Sequence, residues 1–287
     1  MSPWYKILQG DCLEWLQENI EIKINLTFLD PPFNQKKEYK YFNDCQPNEK
    51  YWRWIENIIY HLYKITIEGG SIYFMHREKN TEQILKILNE NGWTLQNLII
   101  WKKKTSAVPS KYRFSKHYQI IAFATKGEKP KVFNKLRIDL PNPPDYKNKR
   151  DNGVYLSDVW DDIRELTSGY FAGNEAIRDS KGNRIHTQQS PLALLLRIIL
   201  SSTMPGDVVL DPFAGTGTSI VVAYQLDRNS IGIEIDPEFI KTINNRLKNI
   251  KGIDNILKYY KYYRYTKNLD KTWKYTKPII IQQARLL

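Results

Sequence analysis

Asp207-Val208-Val209-Leu210-Asp211-Pro212-Phe213-Ala214-Gly215-Thr216-Gly217-Thr218-Ser219 decides the fold. A short β-branched run ends in an acid, and two glycines spaced by one residue follow; this reads as a strand turning tightly into a helix over Gly217 to Leu226. Gly215 and Gly217 let the backbone approach a ligand closely, and the turn delivers that ligand to a helix N-terminus. The stretch does not complete G-x-G-x-x-G, and no Gly-Lys-Ser/Thr follows as in a phosphate loop. The next strand, Ser230 to Ile235, carries Glu234, which sits about 20 residues past the glycines, where an acid can hold ribose hydroxyls. Together these residues read as a nucleoside-cofactor site without pyrophosphate contacts. The plainer alternative is a tight βα turn followed by an ordinary acidic strand end.

The same alternation extends in both directions. Pro191 to Thr203 reads as an apolar helix with Ser190 as its cap and Pro191 in its first turn, and Pro237 to Asn249 as another helix. Toward the N-terminus, Tyr5 to Leu8 reads as a strand and Leu13 to Glu18 as a short helix. Ile24 to Leu29 is a buried strand, Tyr51 to Ile67 a helix, Gly69-Gly70 a turn and Ser71 to Met75 a strand. Thr81 to Glu90 is helical, and Leu98 to Trp101 and Gln119 to Ala124 look like paired strands. Strand and helix in alternation imply an α/β fold with a mostly parallel sheet. Residues 127–183, rich in Pro, Asn, Gly and charge, read as an irregular insert.

A second site follows the strand at Ile24 to Leu29: Asp30-Pro31-Pro32-Phe33. The prolines fix φ and remove two backbone donors, leaving their carbonyls to accept from elsewhere. Asp30 adds an acceptor and Phe33 a flat face. The set suits a planar ring with an exocyclic amine, although Asp and Pro are also common in plain turns.

The chain of 287 residues, 41% hydrophobic, is long enough for one large domain with a modest insert. Its net charge of +12 is uneven: residues 101–150 carry +11, residues 251–287 carry +7, and the remainder −6. Two basic segments around an acidic body fit a nucleic-acid binder better than a uniformly Lys-rich surface. The two cysteines, Cys12 and Cys45, are too few for a disulfide framework and fit a reducing, cytoplasmic setting. No signal peptide or run of membrane-spanning length is expected. The four histidines show no metal spacing, so no metal is expected.

Taken together, these motifs resemble the S-adenosylmethionine-dependent DNA amino-methyltransferases, in the permuted subgroup called β, over about residues 5 to 250. There the D/S-P-P-Y/F motif comes first, a target-recognition region follows, and the cofactor glycines come last, as here. The resemblance implies a Rossmann-like, circularly permuted fold with helices on both faces of the sheet. It makes Asp30, Pro31, Pro32 and Phe33 the catalytic motif, with Asp30 also beside the cofactor. It assigns Asp211, Phe213, Ala214, Gly215, Thr216, Gly217, Thr218 and Ser219 to the cofactor turn, and Glu234 to the ribose. Gly10-Asp11-Cys12 is similar to the element whose Asp contacts the cofactor adenine. His186-Thr187-Gln188-Gln189-Ser190-Pro191 resembles H-P-T-Q-K-P, which closes over the methionine part. Thr187, Gln188 and Ser190 depart from that pattern, and Gln188 and Gln189 are the contacts carried over.

The implied reaction is methyl transfer from S-adenosylmethionine to the amine of a flipped base in double-stranded DNA. Adenine N6 comes before cytosine N4, because Asp opens the motif; RNA methylation and an idle nucleic-acid-binding module are the other readings. Cytosine-C5 chemistry needs a cysteine after proline, and neither cysteine follows one. The implied layout is 1–126 catalytic half, 127–183 recognition insert, 184–253 cofactor half and 254–287 basic aromatic tail. The loop Gln35 to Asn48 reads as mobile, either closing over DNA or lying as solvated surface. The aromatic tail either stacks on nucleic acid or packs on the body as a strand pair. A homodimer and a companion restriction endonuclease are left open.

Overall fold

In the computed structural model the described residues are 2–105, 109–140, 151–166, 175–179, 181–185 and 188–276. Five strands are laid down in parallel: β1 (Tyr5–Gln9), β2 (Ile24–Leu29), β3 (Thr66–His76), β9 (Val208–Asp211) and β10 (Asn229–Glu234). β4 (Trp93–Lys102) and β5 (Tyr118–Lys126) pair antiparallel, as expected, and β5 also pairs antiparallel with β3. The eight-stranded order is β1-β10-β9-β2-β3-β5-β4-β8, where β8 is Val159–Trp160, with only β5 reversed. The expected mostly parallel α/β sheet is therefore present.

Period-two alternation assigns each strand to two cores. On β3, Ile72 and Phe74 face α2 (Asn48–Ile65) and α3 (Thr81–Glu90), with Ile55, Ile58 and Ile87 among the buried partners. Tyr73 and Met75 face the other way, toward α4 (Leu192–Ser202) and α5 (Thr218–Gln225). α4 is apolar nearly all round and buried along almost its whole length, as a helix enclosed between sheet and tail must be. α6 (Pro237–Lys248) packs on α5 through Ile243 and Leu247. Among the described residues no helix is long and apolar enough to cross a membrane.

Four local expectations change. Gly69-Gly70 is not a turn: both lie inside β3, where the register to β2 jumps between Ile24↔Thr66 and Leu26↔Ser71. Gly69 holds φ +72°, and Lys131 N–H donates to its carbonyl at 2.8 Å, so a bulge does the bending there. Ser190 does not cap α4; Pro191 holds the cap position, and the Glu175 carboxylate, 17 residues upstream, takes the Leu192 N–H. The insert is not wholly irregular. β6 (Arg137–Ile138) and β7 (Val154–Tyr155) form a ribbon, and β8 (Val159–Trp160) extends the main sheet beside β4. Nor do the described residues of the tail, 254–276, form a strand pair. These residues run as 3-10 turns and the short helix α7 (Leu269–Thr272), burying Ile256, Tyr263 and Trp273.

Candidate active site

β2 and β9 lie side by side, paired at Leu26↔Val209 and Thr27↔Leu210. From β9 the chain crosses through α5 to β10 on one side; from β2 it crosses through α2 to β3 on the other. The gap between β2 and β9 is thus a topological switch point, where the C-terminal ends of parallel strands diverge and ligands bind. Asp30 leaves the end of β2, Asp211 ends β9, Glu234 ends β10, and Gly10-Asp11 follows β1. All these ends open into one cavity of about 880 Å³. That is room for a nucleoside-sized cofactor with space to spare.

On the β9 side the glycine turn is held by its neighbours. Phe213 N–H donates to Asp211 Oδ1 at 3.1 Å, and the Ser219 hydroxyl donates to Asp211 Oδ2. The Gly215 N–H donates to Glu234 Oε2 at 2.7 Å, and Asp236 N–H to Glu234 Oε1 at 2.8 Å. Asp211, Phe213, Ala214, Gly215, Thr216, Thr218, Ser219 and Glu234 all line the cavity. Gly217 is the exception. It holds φ +77°, and a Cβ there would sit 2.7 Å from Ile243 Cγ1, so it serves the seat of α6 rather than the cavity wall. Asp11 lines the cavity while its Oδ1 caps α1 (Cys12–Glu18) through Leu13 and Glu14 N–H.

On the β2 side, Asp30, Pro31, Pro32 and Phe33 line the same cavity. The Ser190 hydroxyl donates to Asp30 Oδ2 at 3.3 Å, which is what Ser190 does instead of capping α4. The platform is buttressed from below by residues the sequence did not reveal. Arg77 N–H donates to His76 Nδ1 at 2.8 Å, which leaves Nε2 as the protonated nitrogen, facing the Tyr51 hydroxyl at 2.9 Å. That hydroxyl in turn donates to the Pro32 carbonyl at 2.8 Å. The His76 ring lies 4.5 Å from the Phe33 ring at 30°. Burial pulls the His76 pKa down to about 3, so the ring stays neutral and the relay keeps its direction. The only sequence signal for His76 was its place right after an apolar strand, at the edge where ligands gather.

The wall farther from the glycine turn is also new. Met75, Trp101, Lys103, Gln119 and Glu165 reach the cavity from the ends of β3, β4 and β5 and from the insert. Glu165 accepts from Lys104 and Thr105 N–H, both at 2.8 Å, and Trp101 Nε1–H donates to the Ile163 carbonyl at 2.9 Å; these bonds bind the insert to the site. Gln188 lines the cavity. Gln189 does too, but its amide is committed to the backbone of Ile177 and Glu175. His186 and Thr187 lie outside the described residues.

The loop after Phe33 is ordered around one acid. Buried Asp44 accepts from Asn34 N–H at 2.7 Å, Gln35 N–H at 3.1 Å and Lys37 N–H at 3.0 Å. Phe42 leans on Trp54, and Trp54 on Phe213. The loop thus has a hydrogen-bonded frame around Asp44, and it lines the cavity between Gln35 and Phe42 as a flap.

Three of the carboxyls that line this cavity are shifted upward. Burial, reinforced by Asp211, pushes Asp30 up to about 8; burial takes Asp211 to about 6 against the Ser219 and Phe213 hydrogen bonds, and Glu234 to about 7 against hydrogen bonds from the Asp236, Gly215 and Ile235 backbone. Acids in this condition favour a cationic guest. A sulfonium flanked by a ribose fits that donor set. Burial also raises the Cys12 thiol, so it is no thiolate nucleophile, although it touches the cavity.

A family model described as DNA methylase matches residues 24–245. The chain is 34% identical over 265 residues to the Type II methyltransferase M.BamHI of Bacillus amyloliquefaciens, covering 85% of this chain and 57% of that protein. It is 32% identical over 266 residues to the Type II methyltransferase M.HinfI of Haemophilus influenzae, covering 85% and 68%. The match to the DNA adenine methyltransferase YhdJ of Escherichia coli (strain K12) is 31% over 250 residues, covering 82% and 80%. The chain thus spans just over half the length of the first of these relatives. Among solved structures, the M1.HpyAVI complex with SAM superposes with a TM-score of 0.58 at 25% identity, covering 85% of this chain and all of that one. The cytosine-N4-specific PvuII DNA methyltransferase reaches 0.63 at 21% identity, covering 91% and 92%, and shows the shared fold.

Proposed function

The chain belongs to the DNA methylase family of S-adenosylmethionine-dependent amino-methyltransferases, and on that premise we propose that it methylates the exocyclic amine of a base flipped out of double-stranded DNA, with adenine N6 as the acceptor. The observation that carries this reading is that the Asp30-Pro31-Pro32-Phe33 platform and the Glu234-Gly215 turn open into one cavity at a single switch point.

S-adenosylmethionine supplies an electrophilic methyl group on a sulfonium. Asp211, Gly215 and Glu234 would hold it, with Asp11 and Gln188 on the same wall. The chain's own work falls to the platform. An exocyclic amine is a poor nucleophile because its lone pair is delocalised into the ring. Asp30 and the Pro31 carbonyl accept its two hydrogens and favour a pyramidal nitrogen, a stabilisation that grows toward the transition state. Tyr51 occupies the Pro32 carbonyl, so the acceptor role belongs to Pro31. Phe33, supported by His76, stacks on the flipped base. The remaining contribution is positioning in a cavity that the flap helps to line.

Cytosine N4 is the second reading, since the family takes both amines; Asp at the head of the motif favours adenine. The Type II names of two relatives support a companion restriction endonuclease, and a cytoplasmic setting fits both cysteines being unpaired. Sedimentation velocity decides between a monomer and a homodimer. The deciding experiment is nucleoside mass spectrometry on unmethylated DNA incubated with the protein and cofactor. N6-methyladenine should appear with wild type and vanish with Asp30→Ala. N4-methylcytosine would assign the second reading, and methylation by the Asp30→Ala variant would overturn the mechanism.

A further inference from the structure

β4 and β5 are joined by a hairpin that rises from the cavity rim. Lys103 and Gln119 both line the cavity, and the Lys103 N–H donates to the His117 carbonyl at 2.7 Å, closing the base of the hairpin. Its outer turn is tight: Ser110 and Arg113 form a bridge, with Ser110 N–H donating to the Arg113 carbonyl at 3.2 Å. Lys116 anchors one limb on Glu78 at 2.5 Å. The tip carries the two most exposed large hydrophobic side chains among the described residues, Phe114 at 98% and Tyr112 at 83%. Phe114 stands three positions before His117, so its α-carbon lies within about 11 Å of the hairpin base and hence near the cavity mouth.

Two bare rings two positions apart on one turn are not the scattered surface apolar residues of an ordinary monomer. Their surroundings identify the partner. Residues 91–127 hold seven Lys or Arg and no Asp or Glu. Lys111 rides 5.4 Å from the Tyr112 ring centroid, which places a cation and a ring together at the turn. Clustered positive charge with a protruding ring fits a polyanion that can be unstacked, which is duplex nucleic acid.

We propose that Phe114 is a wedge that enters the base stack of duplex DNA beside the target, while Lys111 and Arg113 hold the flanking phosphates. The inference rests on the methyltransferase reading, because that reading requires a base to leave the stack and enter the cavity. A flipped base leaves two unstacked neighbours and a gap. A ring delivered from the cavity rim covers those faces and slows the base's return.

The test measures tritium transfer to unmethylated phage DNA at saturating DNA and cofactor, alongside cofactor and DNA titrations. Phe114→Ala should lower kcat at least tenfold with the cofactor Kd unchanged, and Phe114→Trp should recover most of the loss. Arg113→Ala should instead raise the DNA KM and lower the salt slope of DNA binding by about one. A smaller kcat loss in Phe114→Ala, or no recovery in Phe114→Trp, overturns the wedge. Wild type transferring label to no DNA overturns the methyltransferase reading itself, and the wedge with it. Wild-type transfer with an unimpaired Phe114→Ala overturns the wedge alone.

Discussion

Asp30 in the ligand-free protein is largely a carboxyl group at neutral pH, because burial and Asp211 raise it to about 8. A cationic guest must draw off that proton, so cofactor affinity should climb with pH and level off above about 8. Asp30→Asn should erase the upper limb of the climb in a calorimetric titration, and S-adenosylhomocysteine, without the sulfonium charge, should show a much shallower one. The sign for stability is opposite. The folded pKa lies above the unfolded value of 3.8, so stability present below about pH 4 is lost as pH rises through 8. Cofactor should therefore raise Tm more at pH 8.5 than at pH 6, in scans at constant ionic strength. Tyr51 makes the neighbouring case. Removing its hydroxyl leaves the Pro32 carbonyl and His76 Nε2–H without their buried partner, at a cost of about 1–3 kcal/mol. Tyr51→Phe should lower kcat by distorting the platform while the cofactor Kd stays put, as steady-state kinetics would register.

At the scale of elements, the flap is a nest of N–H groups folded over one carboxylate. Asp44→Ala should free Asn34, Gln35 and Lys37 amides to exchange at least tenfold faster, as hydrogen-exchange mass spectrometry would read, while α2 keeps its protection. Neither this flap nor the His76 relay was legible in the sequence. Asp44 reaches back seven to ten residues and Tyr51 reaches across 25, and no periodicity marks such pairs. The glycine turn, the strand before Asp30 and the helix after Pro191 were legible because each is a contiguous pattern of burial or backbone freedom. Where one residue type served two purposes the reading slipped. Gly217 reads as a ligand glycine yet makes room for Ile243, and Ser190 reads as a cap yet bonds Asp30. Gly69-Gly70 reads as punctuation, but the long β3 pairing overrides it and leaves only a bulge.

Across the whole molecule, the tail is a strut rather than a loose arm. Tyr262 donates to Asp162, which also holds buried Arg197 of α4, while Asp254 pairs with Arg246 and the Thr272 carbonyl takes Arg228. Insert, cofactor half and tail are thereby fastened together. Removing residues 254–287 would take Asp254 from buried Arg246 and the Thr272 carbonyl from buried Arg228, at several kcal/mol in total, so the truncated chain should melt at a markedly lower temperature by calorimetry. The sequence offered both a nucleic-acid arm and a packed tail, because Tyr and Lys in alternation satisfy either. The sheet order has a consequence for the chain's birth. β1 rests against β10 and β2 against β9, so strands made first wait for partners made about 180 to 220 residues later. On the ribosome, at about 5–20 residues per second, that is a wait of roughly ten to forty seconds with raw strand edges in the open. The N-terminal half therefore emerges as an unfinished sheet until the glycine turn arrives to close it.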